Sequence, residues 1–370
     1  MMKTVLYMGG FELPDKNAAA QRVVPIGKLL RENGCQVVFR GITKSNDCCG
    51  EFNGFKYGAV KYPQTTTEWI KYAIGVNVIG YIDKLSPSCI ILYNYPAIAQ
   101  ERIIRHCHKK GIKVIGDITE WYQPSNFLKK IDVCLRMRWS NKHLNGIISI
   151  SRLLDTYYKN CNSILIPPLV DKTEKKWDTA PIESDDPRIK LCYVGSPGGG
   201  KDRLDYIVSG IKNCEKDSIC LDVIGITKEQ YALLYGEDKE IDNLPVVFWG
   251  RLPHNVAVSK LKESDFQIFF RENTKANNAG FPTKFSEAIS AGVPVITNKT
   301  SNVSDFLISG ENGYLIEDAS ADSISHVLNQ VSHLSKGDVS RMKGTINSST
   351  FDYHNYIVPI ASFINNLMEA

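Results

Sequence analysis

Short apolar segments alternate with longer amphipathic segments through the first half of the chain, and this alternation restricts the possible folds more than any other feature. The apolar runs predict buried strands, and the amphipathic segments between them predict helices. The predicted strands are Thr4–Met8, Gln36–Arg40, Cys89–Leu92, Lys113–Ile115, Gly146–Ile150 and Ile164–Ile166. The predicted helices cover 18–32, 67–84, 97–110 and 151–159. Residues 46–62 predict a hairpin at a sheet edge, because Gly, Cys and aromatic residues alternate there.

The same alternation begins again near residue 190. The predicted strands are Lys190–Val194, Cys220–Ile224, Val246–Trp249, Phe266–Phe270, Pro294–Thr297 and Tyr314–Ile316, with helices near 203–213, 254–263, 283–291 and 320–334. Such alternation is typical of parallel sheets with helices on both faces, so two rounds predict two α/β domains. We expect an N-terminal domain over 1–170, a C-terminal domain over 171–352, and a final helix within 353–370 that can pack back on the N-terminal domain. Pro167-Pro168 and the polar stretch 173–188 suit a linker.

Composition narrows the class of protein. The chain has 370 residues, of which 43% are hydrophobic, and its formal net charge of +4 is too small to indicate a nucleic-acid partner. Ten cysteines without a C-x-x-C motif, and an N-terminal apolar run too short for a signal peptide, predict reduced thiols in a cytoplasmic protein. No apolar run approaches the ~18 residues of a membrane-spanning helix.

Residues 194–203 read V-G-S-P-G-G-G-K-D-R. From Gly195 to Lys201 they match a nucleoside-triphosphate loop, but Asp202 replaces the Ser or Thr whose hydroxyl binds magnesium. A glycine-rich turn between a strand and a helix favours an anion, and Lys201 adds positive charge. Two alternatives are a true triphosphate loop, with Asp202 as metal ligand, and a flexible turn with a surface lysine. The strand that ends at Arg271 lacks the aspartate of a second magnesium-binding element.

A second candidate segment, 270–296, reads F-R-E-N-T-K-A-N-N-A-G-F-P-T-K-F-S-E-A-I-S-A-G-V-P-V-I. Thr283 is a suitable N-cap after Pro282, and the N–H groups of Gly280 and Phe281 would lie at that helix start, where a diphosphate is favoured. Glu287 lies one turn further on the same face, so its carboxylate can accept both hydroxyls of a ribose.

This segment resembles the donor-binding segment of the GT-B glycosyltransferases of family 4, which are retaining and use nucleotide sugars. The matching elements are Gly280-Phe281-Pro282-Thr283-Lys284, Glu287-Ala288 and Ala291-Gly292-Val293-Pro294-Val295-Ile296. Similar correspondences occur at Gly9-Gly10, at 147–151, at 166–171, at Gly195 with Lys201, and at 301–316. The resemblance thus covers nearly the whole chain and is strongest from 190 to 318.

The resemblance implies the GT-B architecture, with two Rossmann-like domains facing an interdomain cleft. It also implies transfer of a sugar from a nucleoside diphosphate sugar to a glycan or lipid-linked acceptor, as in surface polysaccharide or glycolipid assembly. The implied donor-binding residues are Gly9, Gly10, Gly195, Ser196, Lys201, Arg251, Leu252, Asn278, Gly280, Phe281, Thr283, Lys284 and Glu287. Lys201 and Arg271 would stabilise the leaving diphosphate, and Asp202 would only stand at a helix start.

Two positions differ from the residues that the family pattern would have. The arginine expected after the first glycine is Ser196, and the first glutamate expected in the donor segment is Ala279. These departures leave open a non-catalytic nucleotide-sugar-binding protein and a sugar-nucleotide epimerase on the same fold. We expect no metal and no further cofactor, because positive side chains can replace magnesium beside the diphosphate.

The acceptor side is expected in the N-terminal domain, at G-D-I-T-E-W-Y over 116–122. Asp117, also a candidate catalytic residue, and Glu120 would lie at the carboxyl end of a strand; the alternative is a helix-capping Asp117 with an exposed Glu120. Residues 128–143 carry Lys129, Lys130, Arg136, Arg138 and Lys142 between apolar residues. This stretch suits either a solvated charged face or an anionic membrane surface, which would make the enzyme peripheral on the inner face of the membrane.

Overall fold

The structure is a computed structural model that describes residues 3–14, 17–45, 48–178, 186–197, 201–214, 218–238 and 240–369. Residues 198–200 of the glycine loop, 179–185 of the predicted linker and 46–47 of the predicted hairpin lie outside the described residues. The chain forms two compact units. Unit 1 comprises residues 1–169, 279–281 and 353–370, and unit 2 comprises 170–278 and 282–352.

Unit 1 contains an eight-stranded sheet. Its strands are β1 (Lys3–Gly9), β2 (Cys35–Thr43), β3 (Cys49–Phe52), β4 (Phe55–Lys61), β5 (Cys89–Tyr93), β6 (Lys113–Ile118), β7 (Gly146–Ser149) and β8 (Ser163–Leu165). They lie in the order β3-β4-β2-β1-β5-β6-β7-β8, and every neighbouring pair is parallel except the β3–β4 hairpin at the edge. The predicted strands and the edge hairpin of the first half are therefore confirmed.

The first six helices of the chain also belong to unit 1. They are α1 (Ala18–Glu32), α2 (Thr66–Ile74), α3 (Val78–Leu85), α4 (Ala97–Lys109), α5 (Phe127–Arg138) and α6 (Arg152–Tyr157). The single helix predicted over 67–84 is wrong, because Gly75 adopts a left-handed φ of 70° and ends α2. A glycine in this conformation is a common helix C-terminus, since it satisfies carbonyl groups that the helix leaves unpaired.

Unit 2 contains a six-stranded parallel sheet. Its strands are β9 (Ile189–Val194), β10 (Ile219–Ile224), β11 (Val246–Gly250), β12 (Phe266–Ile268), β13 (Val295–Asn298) and β14 (Gly313–Ile316). They lie in the order β11-β10-β9-β12-β13-β14, which is the strand order of a doubly wound nucleotide-binding fold. The six strands predicted in the second half are confirmed.

The remaining helices are α7 (Leu204–Lys212), α8 (Lys228–Tyr235), α9 (His254–Lys262), α10 (Lys275–Ala279), α11 (Thr283–Ser290), α12 (Ala321–Ser332), α13 (Lys336–Thr345) and α14 (Ile357–Glu369). Helix α14 packs Ile360, Phe363 and Leu367 into the same core as Val5 and Val37 of the unit 1 sheet. Helices α5, α8, α10 and α13 are absent from the predicted set. Within the described part of the chain, every helix is too short or too polar to cross a bilayer.

Candidate active site

The strand order of unit 2 changes direction between β9 and β12. In open α/β sheets, ligands bind at the carboxyl ends of the strands beside such a point. The glycine loop leaves β9 at Gly195, and Arg271 follows the end of β12. Backbone pairing between Asp202 and Arg271 joins the two segments. The two segments chosen from sequence therefore meet where the topology favours a ligand.

Asp202 is the centre of a buried ion cluster at this point. It is 1% exposed, and its Oδ1 accepts a hydrogen bond from Arg271 Nε at 2.7 Å. Its Oδ2 accepts from Lys284 Nζ at 2.5 Å and from the Tyr193 hydroxyl at 2.6 Å. Burial alone would raise the pKa of Asp202, but the charges of Lys284 and Arg271 outweigh burial and hold this pKa well below its usual value. Asp202 is therefore ionised and neutralises part of the charge of two neighbouring cations.

The expectation that Asp202 only stands at a helix start is wrong. Helix α7 begins at Leu204, its N-cap is Arg203, and no side chain caps it. The cluster also argues against the triphosphate-loop alternative, in which Asp202 would bind magnesium. Its oxygens already face an ammonium and a guanidinium, and these charges would repel a divalent cation.

Arg271 and Lys284 differ in the hydrogen-bond donors that they leave available for a ligand. Lys284 is buried beneath the glycine loop, where its ammonium also lies 4.0 Å from the centre of the Tyr193 ring. A side chain at Gly195 would approach Lys284 Nζ to 3.2 Å, and the backbone there has a φ of 128°, so the position favours glycine. Arg271 uses Nε for Asp202, and its two Nη atoms contact no hydrogen-bond acceptor among the described residues. Its side chain is 16% exposed. Arg271 therefore retains donors for a ligand.

Glu287 lies on α11, and its side chain is partly buried. Its Oε1 lies 3.2 Å from Nε2 of His254, a residue that the sequence analysis did not select. The Nδ1 atom of His254 lies 3.4 Å from Lys176 Nζ, which can only donate. Nδ1 is therefore the acceptor, and Nε2 carries the proton that Glu287 accepts. His254 opens α9 directly after Pro253, and a histidine at such a helix start was the available sequence signal.

The expected N-cap role of Thr283 is wrong. Pro282 is the N-cap residue of α11, Thr283 is the first helical residue, and no side chain caps the helix. The helix start therefore keeps its N–H groups for other partners. A proline N-cap followed by uncapped N–H groups is compatible with an anion at this end of α11.

The other predicted donor-binding residues lie in different surroundings. Ser196 and Lys201 are exposed in the loop after β9, and Arg251 is exposed after β11, where Leu252 is half-buried. Asn278 is engaged in its own unit, where its side chain accepts from Ser301 N at 2.9 Å and donates to the Thr274 carbonyl at 2.8 Å. Gly9, Gly10, Gly280 and Phe281 belong to unit 1.

The structure places Asp117 in the core of unit 1, within β6. It is fully buried, where Arg22 Nη2 donates to it at 2.7 Å and the Tyr7 hydroxyl at 2.5 Å. The alternative of a helix-capping Asp117 is therefore wrong, and these contacts give the carboxylate a structural environment without solvent. Glu120 is half-buried and hydrogen-bonds Tyr122.

No cluster of three or more His, Cys, Asp or Glu side chains that could hold a metal ion occurs among the described residues.

Comparison with known proteins agrees with this geometry. Residues 179–343 match the family described as Glycosyl transferases group 1. The match spans less than half of the chain, and it shows that this segment is similar to that family. The matched segment contains Asp202, Arg271, Lys284 and Glu287. No curated protein matches the chain in sequence.

Solved structures with the GT-B fold match nearly the whole chain. A sucrose-phosphate synthase from Thermosynechococcus elongatus superposes with a TM-score of 0.78 at 12% identity, and the match covers 99% of each chain. The Anabaena protein HepE, in complex with UDP and glucose, has a TM-score of 0.72 at 12% identity over 98% of this chain and 100% of its own. The lipopolysaccharide outer core galactosyltransferase WaaB, in its apo form, has a TM-score of 0.64 at 17% identity over 98% and 99%. These matches show that the chain has the GT-B fold, with a parallel sheet in each of its two units.

Proposed function

We propose that this GT-B protein transfers a sugar from a nucleoside diphosphate sugar to an acceptor hydroxyl, with retention of anomeric configuration. The observation that carries the proposal is Arg271, held by Asp202 at the switch point of the unit 2 sheet with both Nη atoms available. Negative charge develops on the diphosphate as the glycosidic bond breaks, and fixed positive donors stabilise that charge. Lys201 and the start of α11 add to this field.

We also propose protein partners for the other parts of the nucleotide sugar. Glu287 would accept the ribose hydroxyls, and the glycine loop would face the diphosphate. With the diphosphate neutralised by Arg271 and Lys201, we propose that transfer requires no divalent metal. In a front-face reaction the leaving phosphate oxygen takes the proton of the acceptor hydroxyl, so no protein base is needed.

A thermal-shift panel of UDP-, GDP- and ADP-sugars tests donor binding. A ligand at 100 times its Kd stabilises the folded state by roughly 2.7 kcal/mol, so the preferred nucleotide raises Tm measurably. UDP-sugars come first, because HepE is described in complex with UDP. No shift with any nucleotide sugar would contradict the proposal.

Three alternatives give different results in the same series. A binding protein without activity would bind the donor but never release nucleotide from it. An epimerase would interconvert the donor sugar without an acceptor. A nucleoside triphosphatase would hydrolyse ATP with magnesium and lose that activity in Asp202→Ala, whereas a transferase retains activity in EDTA.

We further propose that the enzyme acts in surface polysaccharide or glycolipid assembly and is a cytoplasmic protein that touches an anionic membrane. Phe127 and Leu128 of α5 are 72% and 74% exposed, beside exposed basic side chains. Arg136 does not belong to this surface, contrary to expectation, because it is 3% exposed and donates to the Asn94 carbonyl at 2.8 Å. Lys129, Lys130, Arg138 and Lys142 remain exposed.

Co-sedimentation with phosphatidylglycerol vesicles at low and high salt tests the membrane contact. Each basic residue near such a surface contributes roughly 1 kcal/mol, screened over about 8–10 Å at physiological salt. Replacing Lys129, Lys130 and Arg138 by serine should therefore abolish vesicle binding at low salt and leave the affinity for the nucleotide sugar unchanged. Equal sedimentation of wild type and variant would leave α5 a solvated face.

A further inference from the structure

A cavity of about 500 Å³ lies in unit 1 between α5 and the segment that follows β6. Its walls include Trp121, Tyr122, Lys130, Val133, Cys134 and Arg138. The segment that carries the two aromatic residues leaves the carboxyl end of a parallel strand, where α/β sheets bind ligands. The cavity is thus in a position suited to a substrate.

The charge of the cavity is unbalanced. The side chains of Lys130 and Arg138 both line it, and neither forms a hydrogen bond or ion pair with any residue that the structure describes. No Asp or Glu is among the described lining residues. Other surface cations of this chain do have a carboxylate neighbour, as Lys110 has in Asp83 and Arg105 in Glu101. Two unpaired cations in one concavity favour an anionic ligand.

Helix α5 places an apolar strip beside these cations. Lys130, Cys134 and Arg138 recur at intervals of four residues and so share one face. Ile131 and Leu135 occupy the adjacent face with Phe127 and Leu128, and all four are exposed. An amphiphile could therefore contact cations in the cavity and apolar side chains immediately outside it.

We propose that this cavity binds the phosphate or diphosphate of a lipid-linked glycan acceptor. Lys130 and Arg138 hold the phosphate oxygens, and the exposed ring of Tyr122 supplies a flat apolar surface beside the glycan. The lipid chain follows the strip formed by Phe127, Leu128, Ile131 and Leu135. This inference rests on the proposed transfer reaction and adds to it the chemical class of the acceptor.

The concavity separates this proposal from simple attachment to a membrane. A planar anionic surface would interact equally with every exposed base of the stretch, including Lys129 and Lys142, which do not line the cavity. A bound headgroup depends on Lys130 and Arg138 alone. The two basic pairs are therefore a matched comparison: each has two charges, and only one pair faces the cavity.

Calorimetry with farnesyl diphosphate, inorganic pyrophosphate and farnesol tests the inference, without vesicles. Each titration contains a saturating nucleoside diphosphate, so that the donor site is occupied. Wild type should bind farnesyl diphosphate most tightly, pyrophosphate more weakly, and farnesol weakest. Lys130→Gln/Arg138→Gln should weaken binding of both anions by at least about tenfold, since each charge-assisted hydrogen bond lost accounts for about that factor. Lys129→Gln/Lys142→Gln should change it by less than about threefold, as expected for exposed charges.

A separate variant tests the proposed contact of the lipid chain with the apolar strip of α5. Ile131→Ser/Leu135→Ser should weaken binding of farnesyl diphosphate and leave pyrophosphate affinity unchanged. Equal affinity for the two anions, unaffected by this variant, would overturn the lipid part and indicate a soluble phosphorylated glycan. If the Lys130/Arg138 and Lys129/Lys142 double variants lose equal anion affinity, or if wild type binds neither anion, the proposed phosphate site is wrong. Nucleotide affinity of the same samples reports the donor site separately, so its loss would count against the proposed transfer reaction instead.

Discussion

The sheets of the two units each carry a buried cluster, and the two clusters are built from the same kinds of residues. Each first strand ends in Tyr-x-Gly, as Tyr7-Met8-Gly9 in β1 and Tyr193-Val194-Gly195 in the chain leaving β9. The Tyr7 hydroxyl donates to Asp117 at 2.5 Å, and the Tyr193 hydroxyl donates to Asp202 at 2.6 Å. In each cluster an arginine contacts the aspartate at 2.7 Å.

The clusters differ in how the arginine is used. Arg22 donates to Asp117 through Nε and Nη2, and its Nη1 donates to the carbonyls of Ile166 and Pro167 at 3.0 and 3.3 Å. All of its nitrogen atoms thus have protein partners. Arg271 gives only Nε to Asp202, and a second cation, Lys284, shares the carboxylate. The unit 1 cluster is closed, whereas the unit 2 cluster keeps positive charge and donors for a ligand.

A buried ion cluster at a strand end is therefore not by itself evidence of a ligand site. One cluster fixes the chain segment at 166–167 against the sheet. The other has the spare donors and the net positive charge that a diphosphate requires. We therefore expect substitutions in the first cluster to affect stability and those in the second to affect activity.

The largest effect is expected for Arg22→Met. Removing one partner of a buried ion pair leaves Asp117 charged and unpaired, which costs roughly 3–5 kcal/mol of folding free energy. Urea unfolding measures this loss, and Arg105→Met is the control. Arg105 is exposed and pairs with Glu101, so its loss should stay within about 1 kcal/mol. If Arg22→Met lost no more stability than the control, the unit 1 cluster would not be the closed structural element described.

The second prediction concerns Arg271→Ala. Loss of a donor that stabilises charge in the transition state lowers kcat about 10²–10³-fold, or roughly 2.7–4 kcal/mol. Asp202 keeps Lys284, so stability should fall less than in Arg22→Met. Steady-state transfer rates measure the effect, with Arg203→Ala as the control. Arg203 follows Asp202 directly, but its donors contact Asp205 and Glu272. Similar losses of kcat in both variants would mean that Arg271 has no special role.

Much of the fold could be predicted from the sequence, because both sheets consist of short apolar strands separated by amphipathic helices. The positions of Gly195 and Arg271 after strands, and of Glu287 one turn into a helix, could also be predicted, since they follow local signals. The partners of Asp202 could not be predicted from the sequence. Arg271 and Lys284 lie 69 and 82 residues away; the adjacency of β9 and β12 brings Arg271 to Asp202, and the packing of α11 brings Lys284.

The same reason explains why the buried contacts of Asp117 could not be predicted. Its position after an apolar run suggested the exposed carboxyl end of a strand, but β6 continues to Ile118 and the side chain turns into the core. Its partner Arg22 is 95 residues away on α1. His254 was missed because its position at the start of α9 does not indicate the proximity of Glu287, which lies 33 residues away on α11.

The third prediction concerns the ribose contact proposed for Glu287. Glu287→Ala removes a charged acceptor and should weaken donor binding by roughly 1.5–3 kcal/mol, and Glu287→Gln should weaken it less. Calorimetry with the preferred nucleotide measures both. Glu263→Ala is a suitable control, because this carboxylate lies at the end of α9 and faces Lys190 instead. If Glu287→Ala binds the nucleotide with unchanged affinity, the assignment of the nucleotide-sugar site to α11 is wrong.

The smallest effect is expected for His254, which touches Glu287 and is proposed to orient it. His254→Leu removes the Nε2–H donor, and a hydrogen bond of this kind contributes roughly 0.5–1.5 kcal/mol, so KM for the donor should rise about two- to tenfold while kcat stays constant. His254→Gln restores a donor and should recover most of the affinity. Both variants lose the same ring, so a packing defect would raise KM in both and lower Tm in both. A rescue of KM by Gln but not by Leu identifies orientation of Glu287 as the role of His254. It would also show that the open cluster of unit 2 continues into an ordered ribose contact, for which the closed cluster of unit 1 has no counterpart among its described contacts.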